Sequence, residues 1–147
     1  MVGEITVDAA LDAAQSRLKA AGKLSLCERP IQVVLIVSTA QGIIDNGGLQ
    51  YFYESDFADQ PAYEEFVQAY RAIGAAEAAD LLQRSIELIP FPSPHLHEEK
   101  RQLWLDQFRE NEMSEFNRLS EALIGHAGVF PQLAEYAQLH WQAFAAK

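Results

Sequence analysis

IQVVLIVSTAQGII, Ile31 to Ile44, runs directly into DNGGLQYFYES, Asp45 to Ser55. The first stretch carries no charge over fourteen residues and does not alternate apolar with polar positions. Its Ile and Val content suits a buried strand. A helix buried on every side fits equally well, and periodicity does not separate the two. Strands are most often about five or six residues long, so the length favours a central helix, hydrophobic all round. The run falls short of the ~20 residues that span a bilayer, and it contains Gln32 and Gln41. Asn46-Gly47-Gly48 breaks it. Glycine reaches positive φ without a steric cost, so a tight chain reversal is expected here. Leu49, Tyr51, Phe52 and Tyr53 follow, too dense in aromatics for a surface loop. The turn either returns these rings to the core or presents Asn46 and backbone N–H groups to a ligand.

On either side the pattern is helical. Val7, Ala10, Leu11, Ala14, Leu18 and Ala21 share one helical face; Thr6 is placed to cap that helix and Gly22 to stop it. After the aromatics, Asp59 and Pro61 are expected to start a helix with Tyr63, Phe66, Val67, Tyr70 and Ile73 inward. Gly74 ends it. A second follows from Ala75 to Ile89, with an outer row of Glu77, Asp80, Arg84 and Glu87. Pro90, Pro92 and Pro94 form a stiff loop. Helices over Glu98 to Glu110, around Phe116 to Leu123, and from Pro131 to Phe144 complete the chain, the last with His140 on its inner face. The expectation is an all-α, single-domain bundle over residues 1–147, six to seven helices around a central hydrophobic helix.

The charge is uneven. The chain has 147 residues and a net charge of -10. Residues 1–29 hold four acids and four bases, and residues 100–147 hold six and five. Residues 30–99 hold eleven acids against Arg71 and Arg84 alone, a net of -9. Such a field repels phosphates and anionic membrane surfaces, so neither direct nucleic-acid binding nor a membrane role is expected. The N-terminus has no basic and apolar leader pattern, and a single cysteine excludes an internal disulfide. These features point to the cytoplasm.

The catalytic inventory is thin, and no cofactor is implied. Phosphate-cradling glycine loops and His-Glu-x-x-His are absent. His95-x-His97 with Glu98 and Glu99 is the best metal candidate, although a tripeptide rarely holds zinc alone. His140 reads as a core histidine and His126 as a surface one. Cys27 reads as a partly buried thiol with no histidine partner in its spacing.

Asp45-Asn46-Gly47-Gly48-Leu49-Gln50-Tyr51-Phe52-Tyr53 resembles the Asn-Gly-Gly core of a family of small acidic bacterial proteins, mostly of unknown function, that includes a DNA-mimic protein. Tyr70-Arg71-Ala72-Ile73-Gly74-Ala75 is similar to that family's second block. The likeness covers about residues 30–90; the family's usual Asn-Ser after the aromatics is Glu54-Ser55 here. The resemblance implies an all-α fold, which decides for the central helix. It also implies acidic side chains able to occupy the DNA-binding surface of a basic protein such as a transcription regulator. It brings no enzymatic activity.

B-DNA presents a phosphate every ~3.4 Å along each strand. Carboxylates one helical turn apart lie ~5.4 Å apart, so several elements must contribute to a mimic. Glu54, Asp56, Asp59, Glu64 and Glu65 are five acids in twelve residues with no base between them, and they form the candidate partner-binding group. The row at Glu77, Asp80 and Glu87 is poorer, because Arg84 is spaced to pair with it. A homodimer would double the acidic surface offered to a two-fold symmetric regulator. The alternative reading is a small-molecule or metal-binding protein, or an enzyme of unknown reaction, that uses the turn at Asn46, Gly47, Gly48, Tyr51 and Phe52, or the His95/His97 loop.

Overall fold

The computed structural model describes residues 4–145. Eight α-helices build it, α1 (Val7–Ala21), α2 (Arg29–Glu54), α3 (Tyr63–Ala72), α4 (Ala76–Glu87), α5 (Glu98–Asp106), α6 (Glu115–Leu123), α7 (Val129–Leu139) and α8 (Trp141–Phe144), with no strand among the described residues. Short 3-10 turns at Leu24–Leu26 and Pro94–Leu96 precede α2 and α5.

The uncharged run is helical. Ile31, Val33, Val34, Leu35, Val37, Ala40 and Ile44 are all buried, and α2 packs against α1, α3, α5, α6, α7 and α8. Burial of all but one stripe, Gln32, Ile36, Thr39 and Ile43, outweighs the β-preference of its branched residues, because propensity is a weak term beside tertiary packing. The caps read from the sequence are in place on α1. Thr6 Oγ1 accepts the Ala9 N–H at 3.1 Å, and Gly22 closes the helix at φ 85°. Ser114 caps α6 in the same way, accepting the Asn117 N–H at 3.1 Å.

Four expectations need correction. Asn46-Gly47-Gly48 does not leave the helix; α2 kinks there, with non-helical dihedrals at Gly47 (φ -155°, ψ 17°) and Gly48 (φ 68°, ψ -164°) only. α3 begins at Tyr63, not at Asp59 or Pro61, because Asp59 (φ 65°) and Gln60 (φ 43°) both take left-handed backbone. α7 begins at Val129, so Pro131 lies inside its first turn, where a missing N–H removes no helical bond. The final helix also splits at His140 into α7 and α8, giving eight helices where six to seven are expected.

The core is aromatic at one end. Phe52 and Phe66 meet edge to face at 5.1 Å, Tyr53 and Trp104 at 5.6 Å, and Phe108 stacks on Phe116 at 4.4 Å. Three buried tyrosines resist ionisation. Burial raises the Tyr53 phenol far above its ordinary range. It pushes Tyr63 up to about 12, which the nearby Arg101 partly offsets, and it raises Tyr70 with help from the Asp45 carboxylate. A phenol with a raised folded pKa stabilises the fold fully below its unfolded value near ~10 and loses that contribution as pH climbs through the folded value. Stability should therefore hold flat up to about pH 10 and fall steeply between about pH 10 and 12. Urea midpoints measured across that range check it, with phenolate absorbance from these three rings appearing together with unfolding.

Candidate partner-binding face

The kink is the starting point. Past Gly48 the Leu49 N–H has left its helical carbonyl, and the buried Ser120 Oγ of α6 accepts it at 2.9 Å. Gly48 is glycine for two reasons. Its φ is left-handed, and a Cβ there would run into Ser120 Oγ. Gly47 is glycine for a different one, since the Tyr51 ring lies where its Cβ would be.

Asp45 and Gln41 tie the kink to its neighbours. Asp45 Oδ1 accepts the Gly125 N–H at 2.7 Å and the Gln41 Nε2 at 2.8 Å. Gln41, fully buried, also donates to the Leu123 carbonyl at 2.9 Å and accepts the Tyr70 hydroxyl at 2.8 Å. Two orphan groups at the end of α6 are thereby satisfied. Most of the Asn-Gly-Gly motif therefore serves geometry: Gly48 and Phe52 are buried and Gly47 half-buried, while Asn46 and Tyr51 are exposed.

At the far end of α2 sits Arg101, the largest fully buried side chain, 2% exposed. Its Nε donates to the Tyr53 carbonyl at 2.9 Å, one terminal nitrogen to the Pro94 carbonyl at 2.9 Å, and the other to Asp56 Oδ1 at 3.3 Å. One fork thus caps α2, fixes the proline loop and holds the acidic connection to α3.

The five candidate acids divide. Glu54, half-buried, accepts from Gln50 Nε2 at 2.6 Å and faces Arg109 at 3.5 Å. Asp56 is 70% exposed but engaged by Arg101. Asp59, Glu64 and Glu65 are exposed and enter no ion pair among the described residues. Glu64 and Glu65 occupy the first turn of α3, where the helix dipole favours negative charge. Both neutralising arginines lie more than forty residues away in sequence, so the local charge run hides them. On α4, Asp80 pairs with Arg71 at 2.9 Å and not with Arg84 as the spacing suggests.

His95 is half-buried, edge-on to Tyr63 with ring centroids 6.3 Å apart, and His97 precedes α5, where Glu98 and Glu99 form the exposed first turn. Among the described residues no three His, Cys, Asp or Glu side chains converge to hold a metal. His126 is not a surface residue. It is half-buried, its Nδ1 accepts the Gly128 N–H at 3.2 Å, and its Nε2 faces Glu77 at 3.6 Å. His140 is half-buried against Tyr136, with centroids 4.4 Å apart. Cys27 is a half-buried free thiol.

A family model described as DMP19-like protein matches residues 26–140, from the turn before α2 into the break after α7. The chain belongs to the DMP19-like family. A comparison with curated proteins matched nothing, and neither did one with solved structures. The DMP19-like match extends well past the stretch of about residues 30–90 that carries the resemblance in sequence, and it takes in Arg101, Ser120 and Gly125. The residues that cap the kink and the end of α2 therefore lie inside the DMP19-like unit. No helix among the described residues of this DMP19-like chain is long and apolar enough to cross a membrane.

Proposed function

We propose that the chain is an acidic protein-interaction module that occupies the DNA-binding surface of a basic cytoplasmic protein, such as a transcription regulator, as a DNA mimic. Asp59, Glu64 and Glu65 make the primary contacts; Asp56 and Glu54, steadied by arginines, flank them. The observation that carries this reading is the contrast among acids. These three carboxylates lie within seven residues, are exposed and have no cation beside them among the described residues, as is also true of the more distant Glu87, Glu98 and Glu99, while Glu54, Asp56 and Asp80 each face an arginine. Membership of the DMP19-like family supports it, as does the net charge of -9 over residues 30–99. An exposed field of one sign steers a basic partner and is screened by salt.

Asp59→Lys, Glu64→Lys and Glu65→Lys combined should abolish capture of a DNA-binding protein from host lysate, and wild-type capture should itself weaken at high salt. All three side chains are solvated, and the reversal removes two favourable charges from the first turn of α3, so the triple variant should lose about 1–3 kcal/mol and stay folded, which a melting curve checks. Salt-insensitive capture, or capture unchanged in the triple variant, overturns the assignment.

A further inference from the structure

A groove of about 330 Å³ opens beside the kink of α2, lined by Ile43, Asn46, Tyr51, Glu54 and Ser55. It lies at the lower end of the ~300–1,000 Å³ range of ligand pockets, with room for one long side chain rather than a dinucleotide. Tyr51 is 52% exposed, unusual for so large a ring, yet its ring is seated against Gly47, where any Cβ would displace it. An aromatic surface is thus held in place and left open to solvent. The two partners of Glu54, Gln50 Nε2 at 2.6 Å and Arg109 at 3.5 Å, both engage Oε1. No hydrogen bond or ion pair among the described residues reaches Oε2. Arg109 also shows which group this carboxylate accepts: a guanidinium, 59% exposed and shared with Asp106, whose Oδ1 accepts its Nε–H at 3.1 Å.

We propose that this groove receives a single arginine side chain of a basic partner, its guanidinium taken between the Tyr51 ring and the Glu54 carboxylate. The proposal rests on the acidic-module reading and names the anchor within it. The Asn46 amide oxygen supplies a further acceptor, and Ile43 offers apolar surface to the arginine stem. Arginine fits better than lysine because its planar, weakly hydrated cation stacks on a ring and still presents donors in its own plane. The net charge of -9 over residues 30–99 favours the same sign of ligand.

The test is an amide NMR titration of the full chain with N-acetyl-arginine methylamide and with its uncharged citrulline counterpart. Shifts should centre on residues 43–55, and citrulline should bind at least about ten-fold more weakly, having lost the charge-assisted contact and the cation–π term. Tyr51→Leu and Glu54→Gln should each weaken arginine binding about ten-fold, and Tyr51→Phe should stay within about two-fold. Shifts that are absent or scattered, or citrulline binding as well as arginine, overturn the proposal even if a variant fails to fold. The Asp59, Glu64 and Glu65 reversal leaves the groove intact and separates the two readings. Arginine shifts with partner capture insensitive to that reversal keep the anchor and remove the acidic-module reading. Capture lost on reversal with no arginine shifts does the opposite.

Discussion

Replacing Arg101 with methionine is expected to lower the free energy of unfolding by about 3–4 kcal/mol and the melting temperature by roughly 10 °C. Methionine keeps much of the apolar stem but none of the five donors. The Tyr53 carbonyl, at a buried helix end, and the Pro94 carbonyl both lose their partner. Each orphaned buried acceptor costs about 1–3 kcal/mol. Asp56 contributes little to this loss, since it is 70% exposed and rehydrates. Arg101→Lys should recover less than half of the deficit, because an ammonium cannot reach three acceptors set in a fork. Asp56→Asn should cost under about 1 kcal/mol. Urea unfolding of the three variants reads the order directly. An Asp56 variant as unstable as the Arg101 one would show that the ion pair, not the two carbonyl caps, holds this corner.

Gly48→Ala is the second large effect, at about 3 kcal/mol. Backbone at φ 68° and ψ -164° is essentially confined to glycine and costs another residue roughly 1–3 kcal/mol. The new methyl also pushes Ser120 Oγ from the Leu49 N–H, leaving a buried donor unpaired for about 1–3 kcal/mol more. The two terms separate by a cycle. Ser120→Ala alone should cost about 1–3 kcal/mol, and in that background Gly48→Ala should cost only the backbone strain of about 1–3 kcal/mol. Full additivity would mean that the two sites do not share the contact. Gly47→Ala one residue earlier should cost about 1–3 kcal/mol, since its methyl would meet the Tyr51 ring at Cγ and Cδ2 and drive it from its seat.

Much of the fold is legible in the sequence because helices announce themselves locally. The inward row of α3, the Thr6 and Gly22 caps, and the separation of α5 from α6 all follow from spacing and capping chemistry. The central helix is different. Its branched apolar run shows no periodicity that separates a strand from a helix, and only its length of fourteen residues favours the helix. The kink is legible only in part. Asn46-Gly47-Gly48 signals broken dihedrals, but whether the chain turns or merely bends depends on Ser120, seventy-one residues away, accepting one N–H. Arg101 is missed for the same reason. It sits among charged residues at the start of α5 and looks solvated, and its burial is set by the carbonyls of Tyr53 and Pro94, which no side-chain pattern records. The candidate acids are legible as a charge run; the arginines that engage Glu54 and Asp56 are not.

One guanidinium sunk in the interior ends on a carboxylate at the rim. Damage deep inside the body will therefore surface as altered recognition outside it. A screen for variants that lose their partner should return interior positions around Tyr53 and Trp104 alongside rim acids. Sorting the hits by melting profile would divide those that blur the shape of the charged rim from those that erase its charge.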